Sequence, residues 1–282
     1  MADHQTDRLA DKTIVITGAG GGFGRLVALK AGARGAKLTL GDIDKAAVDA
    51  VAAEVAAAGG RAQALRCDVT RLTDVQALVR ASIDAHGNID VMVNNAGTMP
   101  LAFIADHAAA YAAWERCIDI NIKGVLNGMI AAYDPMVAAG RGQVVNLSSI
   151  YGNFPVTGAA VYGATKAAVD FLSESLRVEA RGRIKVTVVK PTGVPATGLS
   201  GTIINPEASI GILGQNQGEF LAMVAAMGEG TFPAERLDPE AMDYASLAPE
   251  HIADAIIHAI DQPWGVSIGA ITVRAAGDHF IL

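Results

Sequence analysis

Between residues 13 and 67 short β-branched runs alternate with longer alanine-rich runs, and the first junction between them is a string of glycines. Strand patterns cover 13–17, 37–41 and 62–67, while helical patterns fill the gaps to about residue 34 and about residue 58. Strands separated by helices of this length cannot pair as hairpins. Each returns through a crossover, which makes the sheet parallel and lays helices over both of its faces. The rhythm continues, with strands expected at 90–93, 143–147, 185–189 and 270–273 and helices around 71–86, 108–139 and 160–181. The expected fold class is α/β, a doubly wound parallel sheet in which ligands collect at the carboxyl ends of the strands, near the reversal of strand order.

Composition agrees with one such domain. A chain of 282 residues that is 51% hydrophobic can bury one large core, and no stretch rich in Pro, Ser or charge reads as a linker. The formal charge of −7 argues against a nucleic-acid partner, which requires clustered Lys and Arg. Residues 1–8 carry no apolar leader and no window approaches eighteen uninterrupted apolar residues, so the expectation is a cytoplasmic protein with no membrane partner. Cys67 and Cys117 lack metal spacing and the six histidines form no ligand cluster, so no metal is expected. One segment breaks the rhythm: residues 192–247 hold many Gly and Pro and a single helical pattern near 216–227. A connection that long inside a compact domain reads as a lid over a binding site.

Three motifs carry chemistry. Thr17-Gly18 followed by Gly22 and Gly24 places a glycine loop between a strand and a helix, a Rossmann-like cradle for a dinucleotide, and Asp42 follows eighteen residues after Gly24. A carboxylate at that distance suits the adenosine ribose; the alternative is that Asp42 caps the next helix, a task open to Asp44 as well. Tyr162 and Lys166 stand four apart, and on a helix they share one face, where the ammonium would lower the phenol pKa. Ser149 lies thirteen residues before Tyr162, with Ser148 as its rival.

Together with Asn94-Asn95-Ala96-Gly97 and Asn121-Ile-Lys-Gly124, these motifs make the chain resemble the short-chain dehydrogenase/reductase family, single-domain type, over about residues 12–195. The resemblance implies catalysis by Ser149, Tyr162 and Lys166, with Asn121 breaking a helix and freeing a carbonyl for a proton-relay water. It implies cofactor binding by Gly18, Gly22, Phe23, Gly24, Asp42, Asp68, Val69, Asn95, Ala96, Gly97, Tyr162, Lys166, Pro191 and Val194, with Asp68 on the adenine and Asn94 helping to frame the site; turn chemistry is the alternative for both Asp68 and Asn94. NAD is favoured over NADP, because Asp42 repels a 2′-phosphate and neither Gly21 nor Ile43 is basic. Two departures stand out. In Pro191-Thr-Gly-Val-Pro-Ala-Thr197 the threonine falls one place late, leaving its role open, and the end of the chain lacks the family's common Val-Asp-Gly-Gly.

The implied activity is interconversion of a secondary alcohol and a ketone, in a homodimer or homotetramer joined through the helices at 108–139 and 160–181. A non-catalytic nucleotide sensor and a sugar epimerase or dehydratase are the alternatives. Between residues 192 and 228 only Glu207 and Glu219 are charged. Leu199, Ile203, Ile204, Phe220, Leu221, Met223, Met227 and Phe232 of the lid, with Met99, Pro100, Leu101, Phe103, Ile150, Tyr151 and Phe154, point to an uncharged, bulky apolar substrate.

Overall fold

Side chains of a strand alternate between faces, so β1 (Thr13–Thr17) shows how the layers stack. Ile14 and Ile16 enter one core with Val27, Val48, Ile252 and Ile256, whereas Val15 enters the other with Val75, Leu78, Val125 and Val169. Every residue of β1 is therefore buried, as expected of a parallel strand covered on both sides. The computed structural model describes residues 7–195 and 197–281; residues 1–6, on which the leader expectation rests, Ala196 and Leu282 lie outside it.

The remaining strands are β2 (Lys37–Asp42), β3 (Arg61–Arg66), β4 (Val91–Asn94), β5 (Gly142–Leu147), β6 (Ile184–Pro191) and β7 (Ala270–Val273). All pairings are parallel and the order is β3-β2-β1-β4-β5-β6-β7. The reversal falls between β1 and β4, so a crevice opens at their carboxyl ends. Helices α1 (Gly22–Ala33), α2 (Lys45–Ala57), α3 (Leu72–His86), α4 (His107–Ile118), α5 (Gly124–Ala138), α6 (Ala160–Glu179), α7 (Gln217–Glu229) and α8 (Pro249–Ile260) complete the chain. Among the described residues no helix is long and apolar enough to cross a membrane. This is the single-domain, Rossmann-like α/β architecture expected.

The helical region expected over 108–139 is interrupted where the resemblance puts a break: α4 and α5 are joined by one π-turn at Asp119–Lys123, and the Asn121 side chain binds Thr98, in the loop after β4, and Thr165 of α6. Two local features differ from the sequence reading. Residues 192–247 hold the expected helix as α7 but also three 3-10 stretches, at 198–202, 206–216 and 234–237. Helix α8 lies outside the helices expected from the sequence, although Pro249 in its first turn and the i, i+4, i+8 run Ile252, Ile256, Ile260 are ordinary signals of an amphipathic helix.

Candidate active site

The glycine loop shows two different uses of a missing side chain. Gly24 is buried, and a Cβ there would run into the Gly18 carbonyl, so it lets α1 start close against β1. Gly18 (φ +63°) turns left-handed, and a Cβ would come 2.7 Å from the Ala96 backbone. Gly21 and Gly22 have open space above them, and the N-cap of α1 is Gly21, without a side-chain cap. The first-turn N–H groups of α1 thus face a cleft of about 920 Å³, and a diphosphate fits that cradle. Gly18, Gly22, Phe23, Asp42, Asp68, Val69, Asn95, Ala96, Gly97, Pro191 and Val194 all line this cleft, while Gly24 does not.

Asn95 fastens the loop. Its Nδ2 donates to the carbonyls of Thr17 (3.0 Å) and Gly18 (2.9 Å), while the Thr17 hydroxyl accepts from the N–H groups of Asn95 (3.2 Å) and Ala96 (3.3 Å). In the sequence Thr17 is only the residue before the first glycine of the motif; its bridging of β1 to the end of β4 depends on the strand order. Asn94 behaves differently. As the last residue of β4 it is buried, donates to Asn146 (2.8 Å) and does not line the cleft. The expectation that it frames the cofactor site does not hold: successive strand residues point to opposite faces, and only one of Asn94 and Asn95 can look outward.

At the end of β2, Asp42 accepts from the Gly20 N–H (2.9 Å) and the Asp44 N–H (3.0 Å), which leaves lone pairs on both oxygens toward the cleft rim. Helix α2 is capped by Asp44, which accepts from the Ala47 N–H (3.0 Å), so Asp42 is not needed for that task. Asp68 lines the cleft and also makes the turn contact foreseen as its alternative, accepting from both the N–H and the hydroxyl of Thr70 (3.0 and 2.8 Å).

Opposite these groups, α6 carries Tyr162 and Lys166 on a buried stripe that continues through Thr165, Val169, Ser173 and Leu176. Ser149 follows β5, so strand and helix bring it to Tyr162, and all three side chains line the cleft. The Lys166 ammonium donates to the Leu147 carbonyl (2.8 Å) and lies 5.7 Å from the centre of the Tyr162 ring. Ser148 also lines the cleft, but its hydroxyl donates to the Lys166 carbonyl (3.2 Å) and so ties β5 to α6. Asn121 is buried behind the cleft rather than in its wall. Its amide holds the Thr98 backbone from both sides (3.0 Å each) and donates to the Thr165 hydroxyl (3.0 Å), which in turn donates to the Tyr162 carbonyl (2.7 Å).

The electrostatics reverse one expectation. Burial pushes the Tyr162 phenol well above its usual value, contact with Ser149 draws it back in part, and Cys117 adds a further upward push. Burial also draws Lys166 down to about 8, with Cys117 and Asp170 opposing. Inside this pocket the cost of desolvating a phenolate exceeds what the contact with Ser149 returns. The protein alone therefore keeps Tyr162 protonated at neutral pH, the state of a proton donor.

Beyond this group the cleft is walled by Met99, Leu101, Tyr151, Leu199, Ile203, Phe220, Met223 and Met227. Pro100, Phe103, Ile150, Phe154, Ile204, Leu221 and Phe232 lie outside that wall; Ile150, for one, is core packing with Ile212 and Leu213. No charged side chain from residues 192–247 lines the cleft; Arg116 and Asp119 enter it from the end of α4.

The sequence pattern of the short chain dehydrogenase family matches residues 12–207. An uncharacterized oxidoreductase of Listeria monocytogenes is 32% identical over 268 residues, which cover 94% of this chain and 96% of that protein. A 7α-hydroxysteroid dehydrogenase complexed with NADH and 7-oxo glycochenodeoxycholic acid has a TM-score of 0.78 at 24% identity, over 98% of each chain. A metagenomic short-chain oxidoreductase in complex with NADP has a TM-score of 0.71 at 27% identity, over 95% of this chain and 98% of that one.

Proposed function

We propose that this chain, which belongs to the short-chain dehydrogenase family of oxidoreductases, interconverts a secondary alcohol and a ketone with NAD as cofactor. The observation that carries the proposal is the convergence of Ser149, Tyr162 and Lys166 on one cleft that also contains the open glycine loop and the Asp42 carboxylate. A nicotinamide cofactor supplies hydride exchange and, in its oxidised form, a positive charge. The backbone of Gly18, Gly22 and Phe23 would hold its diphosphate and Asp42 its adenosine ribose. Asp68, Val69, Asn95, Ala96 and Gly97 would flank it, with Pro191 and Val194 on the opposite wall.

The chain's own residues then have one proton to manage. Tyr162, whose burial favours the protonated form, donates to the oxygen of a ketone, and the phenolate so formed takes the proton from an alcohol in the reverse direction. Ser149 donates to the same oxygen and stabilises the charge that grows on it. Lys166, anchored on Leu147, supplies positive charge beneath the phenol and a donor for a cofactor ribose hydroxyl. Asn121 holds the π-turn and, through Thr165, the backbone of Tyr162, which keeps the acid in place.

Preference for NAD over NADP rests on the sign of charge at Asp42. The substrate side, apolar and free of lid charges, supports an uncharged and bulky substrate, with residues 192–247 as its cover. We further propose a cytoplasmic homodimer or homotetramer; Tyr111 on α4, Ile130 on α5, and Phe171 and Val178 on α6 are exposed apolar residues on the helices expected to pair. Steady-state kinetics on a series of neutral ketones, with NADH and NADPH in parallel, test the whole reading. The expected result is NADH-dependent turnover whose kcat/KM rises up to roughly fourfold per added methylene until the cleft is full. Preference for NADPH, or for an anionic substrate over its neutral analogue, would overturn it.

A further inference from the structure

After β7 the chain doubles back over the carboxyl end of β6 and enters the cleft. A buried carboxylate holds it there. Asp278 pairs with Arg274 and accepts from the Thr192 hydroxyl (3.0 Å) and the Phe280 N–H (3.2 Å). Arg274 donates in turn to the Phe280 carbonyl (2.9 Å), and the Gly277 N–H donates to the Tyr244 carbonyl (2.8 Å). The same few residues also grip the lid. The Ile281 N–H donates to the Ile212 carbonyl (3.1 Å), Asn216 at the start of α7 donates to the His279 carbonyl (3.0 Å), and the Phe220 and Phe280 rings lie 6.0 Å apart.

The result is an aromatic ring at the junction of sheet, lid and cleft. Phe280 lines the cleft on one side and packs on the other with Ile150, Ile212 and Leu213. Its tip lies directly over Gly193, where a Cβ would run into the ring. Gly193 does not have a positive φ, so its backbone does not call for glycine; the ring does. Thr192, Gly193 and Val194 are themselves cleft-lining residues, which makes the ring part of the wall beside Val194, one of the residues proposed to flank the cofactor.

We propose that the C-terminal segment 274–281 is a substrate-binding element, and that Phe280 is the specificity-determining residue that sets how large a neutral ketone or alcohol the cleft accepts. This rests on the reading of the cleft as a ketone and alcohol site. The ring occupies space that a larger substrate would need, and the Asp278 contacts to Arg274, Thr192 and the Phe280 N–H hold it there. Because the segment bonds both to Thr192 and to the lid at Ile212 and Asn216, it also couples the position of the ring to the lid that covers the substrate.

The test compares wild type, Phe280→Ala and Phe280→Trp on unbranched and alicyclic ketones of increasing size, with NADH affinity measured separately by fluorescence titration. Phe280→Ala should raise kcat/KM for the largest ketones relative to the smallest by roughly tenfold, the effect of about two newly buried methylenes. Phe280→Trp should lower the same ratio, and both should bind NADH within twofold of wild type. If the alanine variant loses NADH binding, Phe280→Leu, which keeps an apolar side chain against Ile212 and Leu213, takes its place. A size profile that moves less than twofold in the variants while NADH binds normally would overturn the proposal. Wild type that turns over no neutral ketone would overturn the functional reading instead. The role of the tail would then be read from displacement of an uncharged naphthalene dye: affinities that shift in opposite directions for the alanine and tryptophan variants support it, and unchanged affinities refute it.

Discussion

Lys166 should cost the fold stability that its chemistry requires, and replacing it by methionine measures how much. Burial draws its pKa from 10.5 to about 8, and at about 1.4 kcal/mol per unit the charged form is disfavoured by about 3 kcal/mol in the folded protein. Below about pH 8 both the folded and the unfolded chain carry the proton, so the penalty is present in full. Between pH 8 and 10.5 the unfolded chain holds the proton and the folded chain does not, so this contribution to stability rises with pH. Methionine fills similar volume without charge and removes the penalty, although it abandons the Leu147 carbonyl, which returns about 1–2 kcal/mol. Lys166→Met is therefore expected to be about 1–2 kcal/mol more stable than wild type at pH 7, and to lose that margin by pH 9.5. Urea unfolding of both proteins at pH 7, 8 and 9.5 gives the difference, in which contributions from other titrating groups such as Lys185 cancel. The same variant should lose ketone turnover. A methionine protein less stable than wild type at pH 7, with no change in the difference toward pH 9.5, would refute the argument from burial.

Tyr162→Phe should reduce kcat by about two to four orders of magnitude and leave NADH affinity within a few fold, since it removes the proton donor and little of the cofactor site; turnover above about a tenth of wild type would assign the proton to another group. Asp42→Asn should weaken NADH and improve relative use of NADPH, because one like-charge repulsion disappears, although only one of the Gly20 and Asp44 contacts can persist, since they fall on different oxygens and an amide offers one; an unchanged NADH to NADPH ratio of kcat/KM would remove Asp42 from cofactor choice.

The parallel layered fold was legible before any coordinates because period-2 and period-3.6 patterns are local, and β1 with its glycine loop is the plainest case. The proposed cofactor and proton-transfer groups could be picked out for a related reason: Gly22, Asp42, Ser149, Tyr162 and Lys166 each sit at a strand end or on one helix face, positions that sequence spacing encodes, and the fold brings them to one cleft. Long-range partners are a different matter. The assignment of Asn94 to the buried side, the grip of Asn121 on Thr98 and Thr165, and the bridge from Thr17 to Asn95 depend on which strands and helices become neighbours. So does the direction of the Tyr162 shift, since burial is a property of the assembled pocket and outweighs the neighbouring charge that spacing alone suggests. The return of Phe280 into the cleft is the extreme example, for Gly193 and Phe280 are 87 residues apart in the chain and meet only through the sheet order that lays β7 beside β6. Chain-local periodicity determined the architecture and the positions of the proposed reacting groups; contacts between distant segments, which no local pattern can specify, decided the shape and electrostatics of the space around them.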